Sequence, residues 1–121
     1  MVAQVGTMVP AALATVLELF TAGEVDGAAA HFAEHATYQE PRKAPLRGRA
    51  TIAAEFARFA ASGVPFRMVV DEVFVDGTSA CVVYRFQVAG GAGEPWRERA
   101  GCATVRFDED GRIAAWREYE G

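Results

Sequence analysis

The spacing of apolar residues in this chain changes once, at Gly63, and that change decides which folds are open to it. Before Gly63 the apolar side chains recur at helical intervals. Leu13, Val16, Leu17 and Phe20 form one stripe, and Ile52, Phe56 and Phe59 form another. After Gly63 the interval drops to two. Phe66, Met68 and Val70 alternate with Arg67 and Val69, and the apolar run resumes at Val73, Phe74 and Val75. Residues 80–88, 96–107 and 113–119 read as further strands. They are punctuated by Asp76-Gly77, by the glycine-rich stretch 89–93 and by Glu109-Asp110-Gly111. Helices first and an antiparallel meander afterwards define an α+β domain.

The first half is expected to hold three helices. One covers 11–22, opened by Pro10 and ended by Gly23. A second begins after Asp26 as N-cap, with Ala28, Ala29, Phe32 and Ala36 as its apolar positions and His31 and His35 alongside. Residues 37–41 then read as extended, because Pro41 disfavours helix at Glu40. A loop at 42–48 precedes a third helix over 50–61, stopped by Ser62-Gly63. Residues 1–9 show no period and are expected to fray.

Composition narrows the function classes. A chain of 121 residues, 51% hydrophobic and 23% charged, is one globular domain spanning 1–121. Its net charge of −4 argues against a protein that tracks nucleic-acid phosphates. No apolar run approaches the roughly 18 residues of a membrane span. The sequence opens without a basic leader, so a cytoplasmic location is expected. Cys81 and Cys102 make neither a disulfide framework nor a zinc site, and strand parity places them on opposite faces. His31 and His35 have metal-ligand spacing but no third ligand, so no metal is expected.

Several landmarks carry a family resemblance. They are Phe20-Thr21-Ala22-Gly23-Glu24-Val25-Asp26, Phe32-Ala33-Glu34-His35-Ala36-Thr37-Tyr38, Leu46-Arg47-Gly48-Arg49-Ala50-Thr51-Ile52, and Gly111-Arg112-Ile113-Ala114-Ala115-Trp116-Arg117-Glu118-Tyr119. With them the chain resembles the nuclear-transport-factor-two-like superfamily over residues 11–120. Within it the chain is most similar to SnoaL-like proteins, limonene epoxide hydrolases and ketosteroid isomerases. The resemblance implies a curved sheet forming a cone-shaped half-barrel, with helices closing the mouth of an apolar pocket.

Tyr38 and Glu40 lie two apart on an extended segment and so point the same way. A carboxylate inside an apolar cup is desolvated and becomes a usable base. By resemblance, Glu40 stands where ketosteroid isomerases carry their catalytic Asp, one methylene longer. Tyr38 and Glu40 also fall near the water-holding Tyr and Asn of limonene epoxide hydrolases. The isomerases' oxyanion donors align with Val16 and Ala103, neither of which can donate. The epoxide hydrolases' Arg-x-Asp and last-strand Asp align with Arg85-x-Gln87 and Glu118. Gln87 can hydrogen-bond an oxygen but cannot protonate it. Independently, an Arg in the apolar strand 81–88 needs a counter-charge, and Glu118 is the expected partner, either as a catalytic pair or as a structural one. Trp116 shares the face of Glu118 and offers a ring-stacking wall. Val83, Ala103, Val16, Phe20 and Phe56 complete the residues expected to line the ligand.

Three functions remain open. The chain is a cofactor-independent acid–base enzyme acting on an apolar small molecule, by epoxide hydrolysis, isomerisation or cyclisation. Otherwise it is a non-catalytic module binding a hydrophobic ligand, or an interaction domain with a filled core. A homodimer is expected in each case, because Val82, Tyr84, Phe86 and Val88 are read as an apolar outer face.

Overall fold

In a computed structural model, residues 8–121 are described. The order is α1 (Ala11–Thr21), a 3-10 turn (Ala28–His31), β1 (Phe32–Gln39), β2 (Leu46–Arg47), α2 (Arg49–Ala61), β3 (Phe66–Asp76), β4 (Ser79–Val88), β5 (Arg97–Phe107) and β6 (Ile113–Glu120). The six strands make one curved, unclosed sheet in the order β2-β1-β6-β5-β4-β3. Every neighbouring pair is antiparallel except β1 and β6, which run parallel. The architecture is the expected α+β class. No helix among the described residues is long and apolar enough to cross a membrane. Of the stretch expected to fray, residues 1–7 lie outside the described residues.

The sheet folds because its inner face is largely apolar, with Glu118 as the exception. Val82 pairs with Ala103, Ala103 with Glu118, and Val105 with Trp116. Directly opposed residues share a face, and Val82, Ala103, Val105 and Trp116 are all buried. α1 lays Leu13, Val16, Leu17 and Phe20 over this face, and α2 adds Ile52 and Phe56. Truncating a fully buried member such as Leu13 or Ile52 to alanine should cost roughly 2–5 kcal/mol. A bulge between Val70 and Glu72 shifts the β3 register by one. It brings Val73 back to the inner side on which Met68 lies, and it explains the break in the alternation of the sequence.

The expected second helix is not formed. Gly27 takes a left-handed φ of 85°, only the short 3-10 turn follows, and the chain is already extended at Phe32. His31 and His35 therefore do not share a helix face. Ile113, three residues before Trp116 and so out of step with strict alternation along the last strand, is fully buried. Register shifts on both of its neighbours turn it inward.

Candidate functional site

The curvature of the sheet leaves a cavity of about 570 Å³ between its inner face and the two helices. Its walls are apolar, built from Phe20 of α1, Phe56 and Phe59 of α2, and Phe66, Met68 and Phe86 of β3 and β4. Glu118 of β6 reaches into it. Parity places Glu118 there: it lies two residues beyond Trp116, on the same face of the same strand.

The carboxylate is held on one side only. The Tyr38 hydroxyl donates to Glu118 Oε2 at 3.1 Å, and Trp116 Nε1 donates to the same oxygen at 2.9 Å. No hydrogen bond among the described residues reaches Oε1. The two donors are themselves fixed. Their rings stack 6.1 Å apart with planes 16° apart, Phe56 meets Tyr38 edge-on at 5.2 Å, and Phe20 meets Trp116 edge-on at 5.8 Å. Burial raises the Glu118 pKa from 4.5 to about 7; the two hydrogen bonds oppose that rise, and the charges of Glu40 and Glu120 add to it.

The rim is charged and largely self-paired. Lys43 Nζ donates to Glu40 Oε1 at 2.9 Å, Arg42 Nη2 donates to Glu120 Oε1 at 2.9 Å, and Arg99 lies 3.4 Å from the other Glu120 oxygen. Arg58 is bound to Glu55. The rim carboxylates Glu40, Glu55 and Glu120 thus each have a cationic partner, whereas Glu118 has none among the described residues.

The structure brings together five of the expected residues. Glu118, Tyr38, Glu40, Phe20 and Phe56 line the cavity, and Glu40 stands at its rim tied to Lys43. Trp116 is fully buried and acts on Glu118 through its ring N–H. Val16 and Ala103 are fully buried in the core beneath.

Arg85, Gln87 and Val83 require correction. They lie on the outer face of β4, and Arg85 is not paired with Glu118. Its guanidinium grips Asp71 through two bonds, Nη2 to Oδ1 at 2.9 Å and Nε to Oδ2 at 3.1 Å, with Glu98 at 3.6 Å. Gln87 accepts from Arg67 at 2.7 Å and donates to Glu98 at 2.7 Å. Energetics dictates this facing. The alternate set Val82, Tyr84 and Phe86 is the one the helices can cover, whereas Arg85 and Gln87 satisfy their polar groups with outer-face neighbours.

The same reversal applies to the supposed apolar outer face. Val82 and Tyr84 are buried inside, so this set cannot form a dimer interface. The outer face instead carries Arg67, Arg85 and Glu98. Cys81 and Cys102 also share that outer face, since Cys81 pairs with Thr104 and Cys102 with Val83; both are free thiols. Tyr84 was missed as a cavity residue by this one-residue slip of parity. The apolar composition of its set is the signal that identifies it.

Comparison with known proteins gives the fold its relatives. A family model described as a SnoaL-like domain matches residues 13–116. No curated protein matches the chain in sequence. Among solved structures, a Mycobacterium tuberculosis LEH-like epoxide hydrolase is similar at TM-score 0.76 and 20% identity, covering 93% of this chain and 81% of that one. An NTF2-like protein of unknown function from Burkholderia pseudomallei K96243 is similar at TM-score 0.75 and 18% identity, covering 91% of this chain and 88% of that one. At such identities the likeness establishes the fold.

Proposed function

We propose that this chain, which belongs to the SnoaL-like domain family, is an acid–base enzyme acting on an apolar small molecule, with Glu118 as its proton-transferring group. The observation that supports this reading is the one-sided grip on Glu118. Both donors that reach the carboxyl bond Oε2, which orients the group and leaves Oε1 without a protein partner among the described residues. A pKa of about 7 lets the group accept and return a proton near neutrality, where general acid–base catalysis is most effective. A structural ion pair would instead place a cation on Oε1.

The reaction to test first is water addition to an epoxide, because of the likeness to the M. tuberculosis LEH-like epoxide hydrolase. In that reaction Oε1 takes a proton from water as the water oxygen attacks an epoxide carbon. Proton-shuttle isomerisation of an enone would use the same oxygen on a C–H acid. Arg85 and Gln87 take no part in either.

The experiment is product analysis with styrene oxide, cyclohexene oxide and cyclohexenone, using the wild-type protein and Glu118→Gln. Turnover of one of these by the wild type, abolished in a variant that keeps its far-UV circular dichroism, is the expected result. Binding of these molecules without product by either protein would move the chain to the non-catalytic ligand-binding class. Equal turnover by both proteins would assign the chemistry elsewhere, with Glu40 the remaining carboxylate of the expected site.

A further inference from the structure

We propose that the Tyr84 hydroxyl is the donor that receives the oxygen atom of the ligand in this cavity. The inference rests on the acid–base reading of Glu118 and adds a second polar group on the same inner face of the sheet, two strands away. Tyr84 stands on the inner face of β4, with only 4% of its surface exposed, and it lines the cavity. Its ring lies across the central strand at Gly101, its directly opposed partner on β5. A Cβ built on Gly101 would stand 3.1 Å from the hydroxyl and closer still to the Tyr119 backbone oxygen, so the end of the phenol lies against the bare Gly101. Gly101 pairs in turn with Glu120, one alternation along from Glu118.

The cations at the rim are each ion-paired with a carboxylate there and are largely exposed, and the other buried hydroxyl of the cavity, Tyr38, is taken. Tyr38 donates to Glu118, Arg42 and Arg99 serve Glu120, Lys43 serves Glu40, and Arg58 serves Glu55. Tyr84 takes part in no hydrogen bond among the described residues. Its hydroxyl is also not a sealed-off orphan, since no fully buried side-chain polar atom lacks a partner there. A hydroxyl at the end of a buried ring, opening on an apolar cavity, directs its hydrogen-bonding capacity at what fills that cavity. Burial, with the nearby charges of Glu118 and Glu120, holds the phenol protonated far above neutrality, so it acts as a donor.

Tyr84 and Glu118 divide the work across one ligand. In epoxide opening, Glu118 takes a proton from water as the new C–O bond forms. The electron pair of the breaking C–O bond passes to the epoxide oxygen, where the Tyr84 O–H stabilises the developing charge. The proton held by Glu118 then returns to that oxygen, directly or through water, and completes the diol. The same donor would serve an enone carbonyl. The ligand class is thus an apolar skeleton carrying one neutral oxygen acceptor.

The test reads the oxygen directly. Carbonyl-13C-labelled acetophenone and cyclohexanone are bound to wild type, Tyr84→Phe and Glu118→Gln, and the C=O stretch is followed by difference infrared spectroscopy. Phenylalanine is isosteric here and removes a hydroxyl with no protein partner, so the fold is retained. The expected result is a stretch shifted to lower frequency in wild type and in Glu118→Gln. The shift is lost in Tyr84→Phe, with binding weaker by roughly 3- to 10-fold, as for one neutral hydrogen bond. The same stretch in wild type and Tyr84→Phe, or failure of both probes to bind the wild type, overturns the inference. A shift that depends on Tyr84, in a protein that turns over no epoxide or enone, upholds the donor and removes only the catalytic reading of Glu118. Where the wild type has turnover, Tyr84→Phe should lower kcat by about 10²-fold or more; an unchanged kcat would refute the catalytic use of the donor.

Discussion

Replacing Glu118 by Gln should make the protein more stable at neutral pH, by an amount that depends on pH in a defined way. The amide keeps an oxygen to accept from Tyr38 and Trp116 and presents its NH2 towards the cavity. It also removes a titration. The Glu118 carboxyl is raised from 4.5 in the open chain to about 7 in the fold, chiefly by desolvation. Between these values the folded protein holds a proton that the unfolded chain has released, so folding stability falls as pH rises through the window. Below about pH 4.5 both states are protonated and the effect vanishes; above about pH 7 it is complete. At 1.36 kcal/mol per pKa unit, the span from 4.5 to about 7 amounts to roughly 3 kcal/mol. Urea unfolding of both proteins at half-unit steps from pH 4 to pH 8.5 supplies the difference curve, in which all other titrations cancel. The variant's advantage over wild type should be near zero below about pH 4.5, grow through the window, and stay at roughly 3 kcal/mol above about pH 7. A flat difference curve would mean that Glu118 is an ordinary solvated carboxylate and would refute the desolvated site.

Other outcomes follow from the same geometry. If Glu118 acts as base, kcat/KM should rise with pH through about 7 and level off above it, whereas a falling limb there would make it the acid. Tyr38→Phe removes one of the two bonds that hold the Glu118 pKa down, so that limb should move to higher pH; a limb that stays in place would show that the hydroxyl does not act on the carboxylate. Arg85→Ala should leave kcat and KM unchanged, because its partners Asp71 and Glu98 lie on the outer face of the sheet; a loss of activity would return Arg85 to the site.

The sequence made the two long helices and the antiparallel meander legible because their burial follows a simple period. It concealed β1 because Phe32 and Ala36 are buried four apart, a spacing that helix and strand share, while Glu34 between them is exposed where the register shifts. Only the step from Ala36 to Tyr38 shows the strand interval directly. At the site, Glu118, Trp116 and Tyr38 were readable from parity and from apolar surroundings. The facing of β4 was not, because aligning Arg85-x-Gln87 with a family motif set the parity against the burial preference of Val82, Tyr84 and Phe86. A slip of one residue exchanges every side chain between faces. It carried Arg85, Gln87 and Val83 inward on paper and Tyr84 outward. The partner of Arg85 was hidden for a related reason, since Asp71 lies at the β3 bulge where the alternation breaks.

The parallel pairing of β1 with β6 also sets the order in which this site can come into being. Tyr38 and Glu118 stand 80 residues apart, and no hairpin can join parallel neighbours. The β3–β4–β5 meander forms through local turns, whereas the grip on Glu118 awaits closure of a loop spanning most of the domain, with its entropic cost. A chain caught with only its hairpins formed would carry Glu118 as a hydrated carboxyl of ordinary acidity, near 4.5. During refolding, the sheet signal should therefore precede the change in acidity, and Glu118 acquires its raised pKa only at the last long-range closure.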